Sequence, residues 1–372
     1  MKFIIIKFGI LILNIIYSFI KLFPLKRRIL FLSRQSNKES IDILLLKKEL
    51  KKKDKSIEIV VLCKKLERGI KNKILYFFHM FVQMYYLATS KVIILDGYSI
   101  VACTLKKKKG TTIIQMWHAL GAFKKFGYSV LGKEEGSNKK LALAMKMHNN
   151  YDYVLTSSEE TIKYFSEAFN TSKNNVIVMP LPRVDLLTSK EYKEKIKSKI
   201  IKQYPIIKKK KNILYVPTFR KDGENIDFIN NLIDFVDFNK YNLIIKLHPL
   251  SKIEIKDKRI ILSDKFSSVD MMMISNYVIT DYSAIVFEAS LLNKPIFFYP
   301  YDYEKYYKKR DFYIDYKKEM PGVIANDAGS IINSIENNDY DLNEVKKFCK
   351  KYISFTKNKC TVNLVEFILK YM

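Results

Sequence analysis

After Arg28 the chain alternates short β-branched apolar runs with longer stretches whose apolar residues recur every three or four positions. β-Branched and aromatic residues suit a pleated, buried surface. The short runs therefore predict strands at Ile29–Ser33, Glu58–Leu62, Val92–Leu95, Thr112–Met116, Tyr153–Thr156 and Val176–Met179. Helical spacing between them predicts helices at Ile41–Lys51, Ile74–Tyr86, Lys139–Met147 and Glu159–Ala168. The alternation restarts at Asn212–Val216 and runs through Leu243–Leu247, Arg259–Leu262, Tyr277–Thr280 and Ile296–Tyr299. Strands separated by helices predict parallel sheets. The expected fold class is α/β, with two doubly wound domains, 29–187 and 212–341, facing a cleft. Residues 188–211, Lys-rich and containing Pro205, read as a charged helix and linker. Residues 342–372 read as helical and as a segment able to cross back to the first domain.

The N-terminus departs from this pattern. Phe3–Phe23 is almost wholly apolar, broken by Lys7 and Lys21 and followed by Pro24 and the cluster Lys26, Arg27, Arg28. A membrane-spanning helix needs about 20 apolar residues, and the uninterrupted part, Phe8–Ile20, falls short. No small-residue cleavage site precedes the first strand, so a secretory signal is not indicated. Residues 1–28 are expected to form a membrane-associating segment in the plane of the interface, its cations among anionic headgroups. A full span and a buried core helix are the alternatives.

Composition adds partners and excludes some chemistry. The 372 residues carry 66 Lys and Arg against 38 Asp and Glu, a formal charge of +28, which points to a polyanionic partner. The excess is mostly Lys, in runs such as Lys106–Lys109 and Lys208–Lys211, whereas bidentate recognition of bases or phosphates favours Arg. No recognition module or aromatic-interleaved basic face accompanies it, so nucleic acid is not the expected partner. Cys63, Cys103, Cys349 and Cys360 are too scattered for a zinc site or a disulfide framework.

In open α/β sheets ligands bind beyond the carboxyl ends of the strands. The residues there are unusually polar: Ser33-Arg34-Gln35, Asp96-Gly97, Trp117-His118, Ser157-Ser158-Glu159, then Thr218 and Arg220, His248-Pro249, Asp281 and Ser283, Tyr301-Asp302. Two of the four histidines, His118 and His248, follow strands directly, one in each half. Neutral imidazole suits proton abstraction from a hydroxyl, and imidazolium suits phosphate charge. His79 and His148 fall in helix-like stretches and read as structural or surface residues. Strand Tyr277–Thr280 leads through a polar turn into a helix that Asp281 or Ser283 can N-cap, which would form an anion site. Arg220 could add a bidentate phosphate contact, and Glu288 could accept hydrogen bonds from a ribose. No Gly-rich phosphate loop is present.

These residues resemble the CDP-glycerol glycerophosphotransferase family of teichoic acid and capsule biosynthesis. The carriers are Gln115-Met116-Trp117-His118, Pro182-Arg183-Val184-Asp185, Pro217-Thr218-Phe219-Arg220, Leu247-His248-Pro249 and Thr280-Asp281-Tyr282-Ser283. Lys294-Pro295-Ile296, Tyr301-Asp302, Arg310, Tyr313 and Pro321-Gly322 complete the set, in family order across 29–330. The resemblance implies a GT-B-like fold of two Rossmann-type domains, the second binding the donor nucleotide. It implies His118 as catalytic base and His248 at the donor pyrophosphate, with Thr280, Asp281 and Ser283 around the phosphates. Asp302 and Arg310 would be further contacts in the cleft. The donor would be CDP-glycerol or CDP-ribitol and the acceptor polyprenyl-linked, at an anionic membrane surface on the cytoplasmic face. No cofactor and no metal are expected. Leu181, Ala284 and Asp311 depart from residues common in the family, which leaves the donor polyol open. A GT-B sugar transferase and a basic nucleic-acid-binding protein are the competing readings.

Overall fold

A computed structural model describes residues 2–220, 226–248, 251 and 253–372. The chain divides into two α/β units. The first takes the chain up to Asp185 together with Ser354–Met372, and the second takes Leu186–Ile353.

In the first unit, β1 (Lys26–Ser33), β2 (Glu58–Cys63), β3 (Ser90–Leu95), β4 (Thr112–Gln115), β5 (Tyr153–Thr156) and β6 (Val176–Val178) form one sheet in the order β2-β1-β3-β4-β5-β6. Every pairing in it is parallel. The chain leaves β1 to one side for β2 and returns to the other for β3. That reversal opens a crevice beyond Ser33 and Asp96, where an open parallel sheet binds ligands. β1 starts three residues earlier than expected because Arg28 is buried, paired with Glu58 at 2.8 Å and bonded to Thr89 Oγ1. It therefore belongs to the fold and is unavailable to a headgroup.

Helix α1 (Lys2–Ile20) is continuous through Lys7, so it is longer than the uninterrupted apolar run suggested. Phe3–Ile20 is long and apolar enough to cross a membrane by length and composition. One face is committed to the fold: Tyr17 is fully buried, and Leu13, Ile16 and Ile20 pack on the core cluster of Leu30, Ile93 and Leu95. Asn14 ties the helix to the chain at Thr104 and Lys106. Ile4, Ile5, Phe8, Leu11, Ile12 and Ile15 remain exposed. Helix α2 (Ile41–Lys53) is N-capped by Ser40 and ends in Lys51, Lys52 and Lys53, each favourable at a helix C-terminus. Helix α3 (Ile70–Thr89) buries Tyr76, Met80, Met84 and Leu87 in the core that α1 joins.

The second sheet contains β7 (Lys211–Val216), β8 (Tyr241–Ile245), β9 (Ile261–Leu262), β10 (Tyr277–Thr280), β11 (Ile296–Phe298) and β12 (Val323–Ile324), in the order β12-β11-β10-β7-β8-β9. It is also parallel throughout. Its reversal lies between β7 and β10, beyond Val216 and Thr280. Tyr215, Leu243, Ile245, Ile279 and Phe297 form the core with the helices Ile226–Phe235 and Ala328–Glu336. The two-residue edge strand β12 was not anticipated; Val323-Ile324 lies between Gly322 and Ala325 with no longer β-branched run to mark it.

The charged segment between the sheets is helix Lys190–Gln203, N-capped by Ser189, then a 3₁₀ turn at Pro205–Lys208. The C-terminal segment splits. Helix Leu342–Tyr352 belongs to the second unit, while helix Cys360–Leu369 belongs to the first and packs against α2. Asp185 accepts from the Cys360 and Thr361 amides and the Thr361 hydroxyl at 2.8–3.1 Å, which caps the N-terminus of that last helix.

Candidate active site

In the first unit a buried amide builds the crevice. Gln115, at the end of β4, is fully buried, so both ends of its amide need partners. Nε2 donates to the Gly97 carbonyl and Oε1 accepts from the Trp117 amide, each at 3.0 Å. This bridge ties the turn after β4 to the turn after β3. It accompanies a left-handed backbone at Trp117, with φ of 63°, a region that a bulky residue occupies only when its surroundings enforce it. The indole stacks on Phe126 at 5.0 Å, meets Phe169 edge-on at 5.3 Å and lies 4.2 Å from the His118 ring.

His118 follows. Its Nδ1 lies 2.8 Å from the Asp96 main-chain carbonyl. A carbonyl only accepts, so Nδ1 carries the hydrogen and the neutral ring keeps its lone pair on Nε2. Burial pushes the His118 pKa below its ordinary value and the Arg183 guanidinium pushes the same way, while the Asp96 carbonyl opposes them. The Asp96 carboxyl is itself only 4% exposed, and its Oδ1 has no hydrogen-bond partner among the described residues. Burial raises its pKa to about 6, against a hydrogen bond from Ser33.

Arg183, not singled out from its chemistry in the sequence, closes this site from behind. Its amide and Nε donate to the two carboxylate oxygens of buried Asp42 at 2.8 Å, and Nη2 reaches the His118 carbonyl at 3.3 Å. The only signal was membership of the Pro-Arg-Val-Asp motif, because Asp42 lies far away in sequence. His148 is buried, bonded to the Tyr151 hydroxyl at 3.1 Å, and burial depresses its pKa to about 4. His79 sits in α3 beside Tyr76.

In the second unit the reversal between β7 and β10 carries a buried charge cluster. Asp281 is fully buried and accepts from the Thr218 amide at 2.9 Å, the Thr218 hydroxyl at 2.5 Å and Arg220 Nη2 at 3.0 Å. Arg220 also meets Asp302 through Nε at 2.8 Å and Nη2 at 3.0 Å, and donates from Nη1 to the Thr218 carbonyl at 2.9 Å. The rings of Tyr282, Tyr301 and Tyr306 surround its guanidinium at 5.0–5.5 Å. Burial works against its charge, yet the Asp281 and Asp302 carboxylates hold its pKa above the ordinary value. The fork expected to grip a phosphate is thus engaged by Asp302.

The expected N-cap is not there. The helix following β10 is Ile285–Leu291, its N-cap is Ala284, and no side chain caps it. Asp281 is turned toward Thr218 and Arg220 instead, while Ser283 Oγ accepts from the Ile285 amide at 3.4 Å. Thr280 is buried and donates to the Val216 carbonyl at 2.9 Å, joining the two central strands. Glu288 is 5% exposed, in the buried face of the helix. His248 is the exposed member of the set, just past β8, its ring 5.3 Å from Phe219. Pro249 lies outside the described residues. Arg310 ends helix Tyr303–Arg310, and Asp311 behind it has φ of 78°, a backbone region that favours glycine. Among the described residues no three His, Cys, Asp or Glu side chains converge as a metal-ligand group.

The family model for CDP-glycerol:poly(glycerophosphate) glycerophosphotransferase matches residues 15–370. The chain belongs to this family. It is an enzyme of the glycerophosphotransferase type, and its sequence is 34% identical over 332 residues to the teichoic acid ribitol-phosphate primase of Bacillus spizizenii, covering 86% of this chain and 85% of that one. It is 33% identical to the teichoic acid glycerol-phosphate primase of Bacillus subtilis, covering 78% and 76%. The wall teichoic acid polymerase TagF has the same GT-B-like fold, with a TM-score of 0.74 over 98% of this chain and 97% of that one, at 20% identity. Several of the motifs singled out in the sequence come together in two clusters, one in each unit. Gln115 through His118 and Arg183 build one cluster, and Thr218 through Arg220 with Asp281 build the other.

Proposed function

We propose that this glycerophosphotransferase-family enzyme moves glycerol phosphate or ribitol phosphate from a CDP-polyol to a hydroxyl of a polyprenyl-linked acceptor, in the synthesis of teichoic acid or a related surface polymer. The acceptor oxygen attacks the β-phosphorus in line and forms the new P–O bond. The bond from that phosphorus to the bridging oxygen breaks, and CMP leaves with the electron pair. The acceptor proton passes to His118 Nε2. The observation that carries this reading is the Nδ1–H bond of a half-buried His118 to the Asp96 carbonyl, which leaves Nε2 the unprotonated nitrogen. Phosphoryl transfer asks chiefly for positioning and charge stabilisation. On the donor side His248 is the exposed imidazole and Ser283 a partly exposed hydroxyl, while Arg220, Asp281 and Asp302 tie together the chain beyond β7, β10 and β11. The reaction as proposed takes no cofactor or metal. The outward apolar face of α1 supports docking on an anionic membrane, on the cytoplasmic face, where a polyprenyl-linked acceptor is met.

Purified protein with a lipid-linked acceptor and labelled CDP-glycerol, CDP-ribitol or UDP-sugars tests the reading. Release of CMP from one CDP-polyol is expected, and His118→Ala should lower it by about 10²- to 10⁴-fold. Sugar transfer with UDP release would replace the reading with a sugar transferase. Turnover that collapses in chelator would remove the metal-free charge scheme.

A further inference from the structure

We propose that Arg183, held by the buried carboxylate of Asp42, is the positioning residue that fixes His118 for proton abstraction. The inference rests on His118 acting as the base. The imidazole ring is oriented at one point by the Asp96 carbonyl, 2.8 Å from Nδ1. One hydrogen bond leaves the ring free to swing if the backbone that carries it can move. That backbone follows Trp117, whose left-handed conformation is strained for a residue with so large a side chain. Relaxation of Trp117 would reorient the main chain that carries His118 and draw the ring away from Asp96.

Arg183 opposes that relaxation by donating to the His118 carbonyl at 3.3 Å, which anchors the main chain on the side of His118 away from Trp117. It can do so only if it is itself immobile. Asp42 provides this: its carboxylate is buried and takes both the amide and the Nε of Arg183 at 2.8 Å, fixing main chain and side chain together. The guanidinium places Nε and Nη2 together on Asp42 Oδ2, a planar two-donor grip that Lys cannot reproduce. Asp42 is set in the first turn of α2, whose N-cap is Ser40. The base is therefore referred to the helix scaffold through two side chains that never meet substrate.

Among the described residues Arg183 is the charged group that acts on His118, and Arg183 and Asp42 in turn act on the Asp96 carboxyl just past β3. His148 touches Trp117, with ring centroids 6.3 Å apart. Changing the brace should therefore move the acid limb of activity in directions that depend on charge. Arg183→Gln removes a cation beside the imidazole, so His118 protonates more readily and the acid limb moves to higher pH. Asp42→Asn keeps the cation and removes its counter-charge, so the limb moves to lower pH. Both variants should lower kcat on the CDP-polyol by tenfold or more with KM changed less than threefold. Arg183→Lys should keep the limb in place and still lose kcat, because the fork is lost.

The experiment is the pH profile of kcat and kcat/KM for CMP release by the full chain, with folding checked by circular dichroism and His118→Ala as reference. Opposite limb shifts for Arg183→Gln and Asp42→Asn, each with lowered kcat, support the brace. Folded variants with kcat within twofold of wild type, or with both limbs unmoved, overturn it. If Arg183→Gln does not fold, Asp42→Asn and Arg183→Lys decide by kcat alone: a tenfold loss with KM changed less than threefold in both supports the brace, and a smaller loss in either overturns it. Should His118→Ala retain wild-type CMP release, the base assignment falls instead, an outcome distinct from failure of the brace.

Discussion

Asp96 plays two parts through one residue. Its carbonyl sets the His118 tautomer, while its carboxyl is buried with an unpartnered oxygen and a pKa raised to about 6. A carboxyl with a raised pKa contributes stability below its unfolded value of about 3.9 and loses that contribution as pH rises through about 6. At pH 7.5 the ionised group therefore works against folding, by about 3 kcal/mol at roughly 1.4 kcal/mol per pKa unit. Asp96→Asn keeps the carbonyl and removes the charge, so Tm should rise at pH 7.5 and change little at pH 4. Thermal melts at the two pH values check this, and a lower Tm at pH 7.5 would contradict it. Arg220 is the opposite case, a buried cation with both its carboxylate partners in place. Its place after a strand end suggests a bidentate phosphate contact. Its neighbours at Asp281 and Asp302 are 61 and 82 residues away, and nothing local announces that they converge.

At the scale of elements, the helices and strands were largely legible because their apolar spacing is local. Eleven of the twelve strands among the described residues were anticipated within a few residues, and the exception, β12, is a two-residue edge. Helix starts were less legible. Asp281 and Ser283 have the chemistry of an N-cap, yet the helix begins with uncapped Ala284 because Asp281 is drawn to Thr218 and Arg220. The converse holds at the last helix, Cys360–Leu369, whose cap is supplied by Asp185 from a distant segment. Asp185→Ala should destabilise the protein by about 1–2 kcal/mol, the usual range for a lost cap. Hydrogen exchange should show the faster opening confined to the amides near Cys360 and Thr361. Uniform acceleration across the first unit, or none, would show that the cap does not hold this helix.

At the scale of the whole molecule, the chain carries +28 and an apolar helix with one face committed to the core. Flotation with vesicles should show binding to anionic lipid that weakens as salt rises, since surface charge is screened within about 10 Å at 0.1 M. Phe8→Ser with Ile12→Ser, both exposed, should reduce binding at every salt concentration while leaving Tm unchanged. Binding that ignores both salt and these substitutions would remove α1 from the membrane reading. The two parallel α/β sheets, the strand ends that carry chemistry, and the family are legible in the chain, because periodicity and motif order are properties of neighbouring residues. Tertiary structure alone decided what those polar residues face. Arg183 meets an aspartate 141 positions away, and Asp281 meets Thr218 rather than its own helix. A buried charge takes whichever partner the sheet reversal brings within 3 Å, and that choice depends on chain closure rather than on local pattern.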